Sequence, residues 1–239
     1  PMPVEEYPAS RAMAGEGEVR NVVMGVHRPQ GDLVWISTSA APIDEDAGGG
    51  VAVAFEDITE RLRMEQEHEE HGRRETLLAR FREAVWKLDG TSDTGVLLES
   101  LGEIIDTAGI PYNAVGVNVI ESEDRGAIRA YGTGRHGVSA RLLEEVHATK
   151  VLAFWREGEV ANRSDLWAED DHNEVEDWSK VSGRRGPRSV VDIPFSHGTL
   201  AANSSEPDAF TAYLDLLADI AGVLSEGFRR LDDLHRPGE

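Results

Sequence analysis

The sequence of 239 residues contains no cysteine. Without cysteine the chain forms no disulfide bond, has no cysteine nucleophile or thiolate metal site, and carries no thioether-linked chromophore. No stretch approaches the roughly 20 apolar residues that a membrane-spanning helix needs. The first ten residues also lack the basic and apolar regions of a signal peptide. We therefore expect a cytoplasmic protein with no membrane partner.

Basic residues are scarce as well. The 24 Lys and Arg residues stand against 45 Asp and Glu residues, which gives a formal net charge of −21. A surface of this sign repels the phosphates of nucleic acids, so we expect no nucleic-acid partner. The acid excess fits either ordinary solubility or a salt-rich cytoplasm, and composition does not separate the two. Because the chain begins with Pro instead of Met, we expect it to be a piece of a longer protein.

Residues 16–55 carry the signals of three short β-strands. The stretch EVRNVVMGVHR (18–28) alternates imperfectly around three apolar residues, and a Pro-Gln-Gly-Asp turn separates it from LVWISTSAAPI (33–43). A second turn, rich in Gly and Asp, precedes VAVAFEDI (51–58). Sequential strands joined by short turns predict an antiparallel meander.

A long helix is predicted from residue 59 to about residue 89, because this stretch has no proline and only one glycine. Its middle is highly charged. Leu78, Phe81, Val85 and Leu88 follow one another at the 3-4-3 spacing of a coiled-coil seam. We therefore expect a solvated connecting helix that pairs with the same helix of a second subunit.

Residues 90–234 predict a second domain that mixes strands and helices. The predicted elements are a helix at 91–109, strands at 113–122 and 127–132, a helix at 139–158, a polar irregular segment at 159–187, strands at 188–195 and 199–204, and a closing helix at 210–235. Hairpins dominate among the strands. The expected fold class is α+β, with antiparallel sheets and helices packed on them.

The first region resembles the C-terminal half of a PAS domain. The resemblance is carried by the Arg28-Pro29-Gln30-Gly31 turn, by Trp35 in the next strand, and above all by Asp57-Ile58-Thr59-Glu60-Arg61. In that family the Asp-Ile-Thr segment ends the last strand and starts the signalling helix. The earlier strands and ligand-cradling helices of a complete PAS domain are not in the sequence. The resemblance thus implies a partial PAS-like domain at residues 1–58 and a signalling helix at residues 59–89.

The second region, residues 75 to about 234, resembles a GAF domain over its full length. The resemblance is carried by RSVVDIPF and TLAANS around a short hairpin, by Pro207-Asp208-Ala209-Phe210 before the closing helix, and by WREGEV followed by NRSDL in the middle. It implies a GAF-like domain at residues 90–234.

A partial PAS domain, a connecting helix and a GAF domain in this order resemble the sensory region of a bacterial-type signal-transduction protein, such as a histidine kinase. The resemblance implies no enzyme. It implies a module that passes a ligand- or partner-dependent signal to an output domain absent from this chain. We expect a homodimer through residues 59–89 and 210–235. The alternative is a ligand-free dimerisation or interaction module.

In a GAF domain a small molecule lies between the sheet and the segments that cover it. The residues that match this space combine aromatic and polar side chains: Asn118, Tyr131, Trp155, Arg163, Asp165, Trp178 and Asp192. Aromatic walls with a few converging polar groups suit a small organic ligand, such as a cyclic nucleotide or another metabolite. Without cysteine no covalent bilin is expected, and the sequence names no axial ligand for haem. The alternative for Trp155 and Trp178 is a plain core role.

Three other motifs contain residue types that could carry chemistry. The GxGxxG at 132–137 predicts a strand-to-helix loop, because the surrounding hairpins lack the second crossover of a dinucleotide-binding unit. His68 and His71 have a spacing that suits a divalent metal, but no third ligand is placed by the sequence. The acidic cluster Glu169-Asp170-Asp171-His172 lacks the pattern of an EF-hand loop and predicts a solvated loop.

Ser196-His197-Gly198 lies between the two strands of the last predicted hairpin. A hydrolase built on Ser196 and His197 would need a third residue and an oxyanion site, which the sequence does not provide. We therefore predict that His197 is a turn residue that bonds to nearby backbone and does not act as the base of a nucleophile. Gly198 is expected to supply the conformational freedom of the corner.

Overall fold

The computed structural model describes residues 2–29, 31–44, 49–87, 94–134, 137–183 and 185–235. The chain divides into two compact units, Pro1–Arg73 and Arg74–Glu239, and the division falls inside a long helix. No helix in the described ranges is long and apolar enough to cross a membrane.

The first unit contains a three-stranded antiparallel sheet. A short helix α1 (Pro8–Arg11) precedes β1 (Val19–His27), β2 (Leu33–Ile43) and β3 (Gly50–Asp57), which lie side by side in that order. The predicted meander is confirmed. Its buried core is small and consists of Ala12, Val19 and Ala40 with Val22 and Val51 packed against them. Several large apolar side chains of this sheet stay exposed, including Phe55 at 73%.

The Asp-Ile-Thr segment joins β3 to the long helix α2 (Thr59–Trp86). Ile58 is buried, and a carboxylate oxygen of Asp57 accepts a hydrogen bond from the backbone N–H of Thr59 at 3.0 Å. The hydroxyl of Thr59 accepts a bond from the backbone N–H of Trp35 at 2.9 Å. Hydrogen bonds to Asp57 from the hydroxyl and from the backbone N–H of Thr59 lower the pKa of Asp57. The segment thus caps α2 and fastens its start to β2. The predicted end of this helix at residue 89 lies outside the described residues.

The second unit is built on a six-stranded antiparallel sheet. Its helices, after the second half of α2, are α3 (Thr94–Thr107), α4 (Glu145–Glu157), α5 (Glu174–Ser182) and α6 (Leu214–His235). Its strands are β4 (Ala114–Ser122), β5 (Ala127–Gly134), β6 (Ser139–Leu142), β7 (Ala161–Arg163), β8 (Ser189–Phe195) and β9 (Gly198–Ser204). They lie in the order β6-β5-β4-β9-β8-β7. This arrangement is α+β, as the sequence predicted.

The two faces of this sheet carry different layers of helices. On one face, alternate residues such as Val117, Val191 and Leu200 form the main core with α3, α6 and the second half of α2. On the other face, Ile128 packs with residues of α4. We call these the core face and the α4 face of the sheet.

The predicted coiled-coil seam is wrong for two of its residues. Phe81 and Val85 are 0% exposed, because they belong to the main core of their own chain. They cannot contact a second subunit. Leu88 lies outside the described residues.

Three predicted elements need correction. Residues 139–142 form the edge strand β6 and not a helix, and α4 begins at Glu145. The supposedly irregular segment 159–187 contains β7 and α5. The closing helix α6 begins at Leu214, after a short turn of 3₁₀ helix at Thr211–Tyr213.

The misses at β6 and α5 have physical causes. All four residues of β6 are exposed, so the strand has no apolar alternation to reveal it. Helix α5 turns Glu174 and Asp177 inward, which is the opposite of the usual amphipathic pattern. The GxGxxG stretch also lies differently from the prediction, because Gly132 and Gly134 belong to β5 and the next element is the strand β6. Arg135 and His136 lie outside the described residues.

Candidate functional site

A cavity of about 180 Å³ lies between the α4 face of the sheet and the helices α4 and α5. Its floor consists of small residues on the central strands. Alternation along the strands directs Leu200 and Ala202 to the core, and this leaves Ala201 on the cavity side. The small floor residues are Ala114, Gly116, Ala130, Gly132 and Ala201. Side chains this small leave the space that larger residues would fill.

Gly116 is required by a close approach of two strands. A Cβ at this position would lie 2.0 Å from the carbonyl oxygen of Tyr131 on β5, which no side chain can tolerate. Gly116 therefore keeps β4 and β5 in register beneath the cavity. Gly132 is different, because a Cβ there would make only ordinary contacts of 3.5 Å or more.

The polar end of the cavity centres on the buried carboxylate of Asp192. It accepts hydrogen bonds from the Thr199 hydroxyl at 2.8 Å, from the Asn118 amide at 3.4 Å and from the Arg163 guanidinium at 2.7 Å. The Asn118 amide also donates to the Thr199 hydroxyl at 3.0 Å. These donors satisfy a carboxylate that would otherwise be costly to bury.

Arg163 joins the strand network to α5. Its guanidinium donates to Glu174 at 2.9 Å, and it lies 4.7 Å from the ring centre of Phe154 on α4. Burial lowers the pKa of Arg163, but the carboxylates of Asp192 and Glu174 outweigh that effect and hold its pKa above the usual value. Arg163 is therefore a fixed cation between two buried anions.

A second ion pair links α4 to α5. The ammonium of Lys150 contacts the carboxylate of Asp177, and both side chains are largely buried. The hydrogen bond from Lys150 lowers the pKa of Asp177. The pair holds the two helices together where they cover the cavity.

His147 differs from these paired groups. Its ring lies 5.2 Å from the ring of Trp178, and its Nε2 atom is buried with no hydrogen-bond partner. Burial, reinforced by the charge of Arg141, lowers the pKa of His147. At neutral pH this imidazole is therefore neutral, with one N–H donor and one acceptor nitrogen.

The cavity brings together most of the residues that the sequence nominated. Asn118, Arg163, Trp178 and Asp192 line it. Tyr131 borders it from β5, but its side chain packs against the main core.

The other two nominated residues lie elsewhere. The indole N–H of Trp155 donates to the carbonyl of Phe195 at 2.8 Å, and the ring packs against the cluster around Ile128. Asp165 forms a two-pronged ion pair with Arg188, with contacts of 2.7 and 3.0 Å. Neither lines the cavity.

Sequence reasoning missed four ionisable lining residues: Arg141, His147, Lys150 and Glu174. Arg141 was hidden by the mistaken helix over 139–158. His147 and Lys150 lie one turn apart on α4, and their spacing was the available signal. Glu174 lay within the segment that was predicted to be irregular.

The Ser196-His197-Gly198 corner lies outside the cavity. The Ser196 hydroxyl is 2.7 Å from Nδ1 of His197, and Nε2 of His197 is 2.8 Å from a carboxylate oxygen of Asp232 on α6. Ser196 also bonds Ser225 on α6 through its backbone N–H at 3.0 Å. The ring of His197 thus bonds to two side chains and not to the nearby backbone that was predicted, and the corner ties the β8–β9 hairpin to α6.

The other candidate motifs show no assembled metal centre. Among the described residues no group of three or more His, Asp or Glu side chains could hold a metal ion, and this covers His68 and His71. Asp170 of the acidic cluster instead caps α5, accepting bonds from the backbone N–H groups of Glu174 at 2.6 Å and Val175 at 2.9 Å.

No known protein family matches the chain, and no curated protein does so either. Among solved structures, the chain is similar to the GAF domain of an Acinetobacter phosphoenolpyruvate-protein phosphotransferase, with 13% identity and a TM-score of 0.49 over 69% of this chain and 98% of that one. It is similar to the chromophore-binding domain of an unusual bacteriophytochrome from R. palustris, with 11% identity and a TM-score of 0.48 over 91% of this chain and 76% of that one.

A third similar structure is a methyl-accepting chemotaxis protein fragment, with 15% identity and a TM-score of 0.47 over 67% of this chain and 99% of that fragment. All three TM-scores are below 0.5. The description of the fold therefore rests on the strand order and pairing given above.

Proposed function

We propose that this chain is a sensory module in which a small organic molecule occupies the cavity of a GAF-like domain and biases the arrangement of helices α2 and α6. The observation that carries the proposal is the cavity itself, which combines a satisfied buried ion network with one buried nitrogen, Nε2 of His147, that has no partner. A buried polar atom without a partner calls for a water or a ligand. The first unit is proposed to be the partial PAS-like domain that the sequence resembles.

The strand β8 offers a route from the cavity to the helices. Asp192 contributes to the cavity wall, whereas its neighbours Val191 and Ile193 belong to the core that includes Leu217 and Ile220 of α6. A shift of this strand on ligand binding would therefore be felt directly by α6.

Helix α6 in turn contacts the second half of α2. Arg74 donates to Asp219 at 2.8 Å, and Arg82 donates to Glu226 at 3.2 Å. Arg230 donates to the backbone carbonyl of Trp86 at 2.9 Å. A ligand shifts this helix pair only by its difference in affinity for the two arrangements, so the proposal requires measurable coupling.

The proposed homodimer uses surfaces that remain exposed. Because Phe81 and Val85 are buried in their own chain, subunit pairing along α2 would use side chains such as Met64, which is exposed. The proposal assigns no catalytic step to the chain, and neither Ser196 nor His197 lines the cavity.

Native mass spectrometry of the purified chain tests ligand binding. We expect a co-purified small mass that disappears in Ala201→Val, because the larger side chain fills part of the cavity while valine suits a strand. Hydrogen exchange then tests coupling, and we expect slower exchange in residues 214–235 when the ligand is present.

Two results would favour the alternative of a ligand-free interaction module. One is a purified chain with no bound mass and no change in hydrogen exchange with any small molecule. The other is dimerisation by sedimentation that is unaffected by Ala201→Val. A chain that stays monomeric at high concentration would contradict transmission through a dimer.

A further inference from the structure

Among the described residues, the charged side chains that line the cavity form ion pairs, with the exception of Arg141. Arg163 is neutralised by Asp192 and Glu174, and Lys150 is neutralised by Asp177. Arg141 lies on the exposed edge strand β6 and borders the cavity, and its guanidinium has no ion pair within the described part of the chain. In a chain of net charge −21, acidic partners are plentiful, so a cation that borders a cavity and has no ion pair among the described residues is unusual.

Arg141 and His147 face the same space. Both border the cavity, and the charge of Arg141 acts on the imidazole of His147. A neutral imidazole can carry its proton on Nε2 and so present an N–H donor to a ligand. A guanidinium and a ring N–H side by side suit an oxygen anion, and a planar carboxylate accepts bonds from both.

The remaining walls suit a flat apolar body. The floor is Gly and Ala backbone, and the opposite wall includes Phe154, Trp178 and Val151. A cavity of about 150 Å³ holds benzene in a well-studied case. The 180 Å³ cavity here exceeds that by roughly the space of one water molecule, about 30 Å³, which is the scale of one added carboxylate.

We infer that the cavity takes a monocyclic aromatic carboxylate, with the carboxylate on Arg141 and Nε2 of His147 and the ring between the Gly and Ala floor and the aromatic side chains of α4 and α5. This inference rests on the proposed function, because it names the ligand class of the same site.

Benzoate is the probe, and benzamide is its neutral control with the same ring. We measure each by calorimetry and by thermal unfolding of the full chain. At about ten times its Kd, benzoate is expected to raise Tm by roughly 3 °C or more. Benzamide is expected to bind at least about tenfold more weakly, since a charge-assisted hydrogen bond is about twice as strong as a neutral one.

Variants locate the binding groups. Arg141→Gln and His147→Phe are each expected to weaken benzoate binding at least about tenfold. Arg156→Gln removes the same charge from the exposed end of α4 outside the cavity and is expected to leave benzoate binding unchanged. Ala201→Val keeps every charge and is expected to abolish binding by filling the floor.

The outcomes separate this inference from the proposed function. Binding of benzamide as tight as that of benzoate, abolished by Ala201→Val, would overturn the carboxylate while supporting a cavity ligand. Binding of benzoate that survives both Arg141→Gln and Ala201→Val would overturn this site. No binding of either probe would overturn the inference, and a purified chain that also lacks any co-purified mass would overturn the proposed function with it.

Discussion

Arg163 is only 10% exposed and holds two carboxylates, Asp192 and Glu174, that are also buried. Removal of one partner from a buried ion network leaves the other charges without compensation, which typically costs about 3–5 kcal/mol. We expect Arg163→Met to destabilise the second unit by an amount of that order, measured by urea unfolding.

Two comparisons make this prediction specific. Arg188→Met breaks an ion pair with Asp165 in which Arg188 is 37% exposed, so we expect a much smaller loss. Adding Asp192→Asn and Glu174→Gln to Arg163→Met should recover part of the lost stability. Equal losses in the two arginine variants would contradict the assigned role of Arg163.

The buried imidazole of His147 is expected to make the stability of the fold depend on pH. Burial, then the charges of Arg141 and Lys150, lower its pKa in the folded chain, against the opposing charges of Asp177 and Glu144. Because the unfolded imidazole has the ordinary pKa near 6.5, the unfolded state binds more protons just below that pH. His147 therefore costs no stability above about pH 7 and destabilises the fold as the pH falls through 6.5 towards its lowered pKa.

The measurement compares the wild type with His147→Phe across pH 5 to 8. We expect the unfolding free energy of the wild type to fall more steeply below about pH 6.5, since the variant lacks this titration. The other histidines are common to both chains and cancel in the difference. Parallel pH profiles would show that His147 titrates as an ordinary exposed histidine.

At the scale of elements, α2 and α6 approach each other closely at Gly227. A Cβ on Gly227 would lie 2.0 Å from a methyl group of Val85, which is 0% exposed. Gly222, on the same helix, has nothing within 4 Å of such a Cβ. The two glycines therefore form a matched pair.

We expect Gly222→Ala to stabilise the chain by up to about 1 kcal/mol, because alanine favours a helix over glycine. Gly227→Ala is expected to destabilise it despite the same gain in propensity, since the added methyl group overpacks the core. Val85→Ala should relieve part of that strain in the double variant. Thermal unfolding measures all three, and a stabilised Gly227→Ala would mean that the helices separate there without cost.

The elements that the sequence predicted well are those whose side chains alternate or repeat in a helical pattern. The strands of the first sheet and the last hairpin begin and end within two residues of their predictions. The strands β6 and β7 were missed because short edge strands bury too little to show alternation. Helix α5 was missed because its buried side chains include two acids, whose partners lie far away in sequence.

The residues of the candidate site were likewise predicted only in part. Asn118, Arg163, Trp178 and Asp192 were predicted as lining residues from the GAF resemblance, and they do border one cavity. His147 and Arg141 could not be placed, because their orientation depends on how α4 and β6 meet the sheet. The ion pairs that fix α4 and α5 over the cavity are long-range contacts without a local signal.

At the scale of the whole molecule, the net charge of −21 makes us expect that stability depends on salt concentration. Most ion pairs of the described residues are exposed and contribute little, whereas the excess of like charges repels throughout the chain. Salt weakens both effects, and the Debye length falls from about 30 Å at 0.01 M to about 8 Å at 0.15 M. The repulsion acts over longer distances than the ion pairs, so it is screened more.

We therefore expect Tm to rise between about 0.01 M and about 0.15 M sodium chloride, with the largest change at the low end of that range. Choline chloride should give the same rise, because screening depends on ionic strength and not on the identity of the cation. A rise with sodium alone would instead point to a specific cation site. A fall in Tm with either salt would mean that the exposed ion pairs, such as Arg82 with Glu226, contribute more to folding than the net repulsion removes.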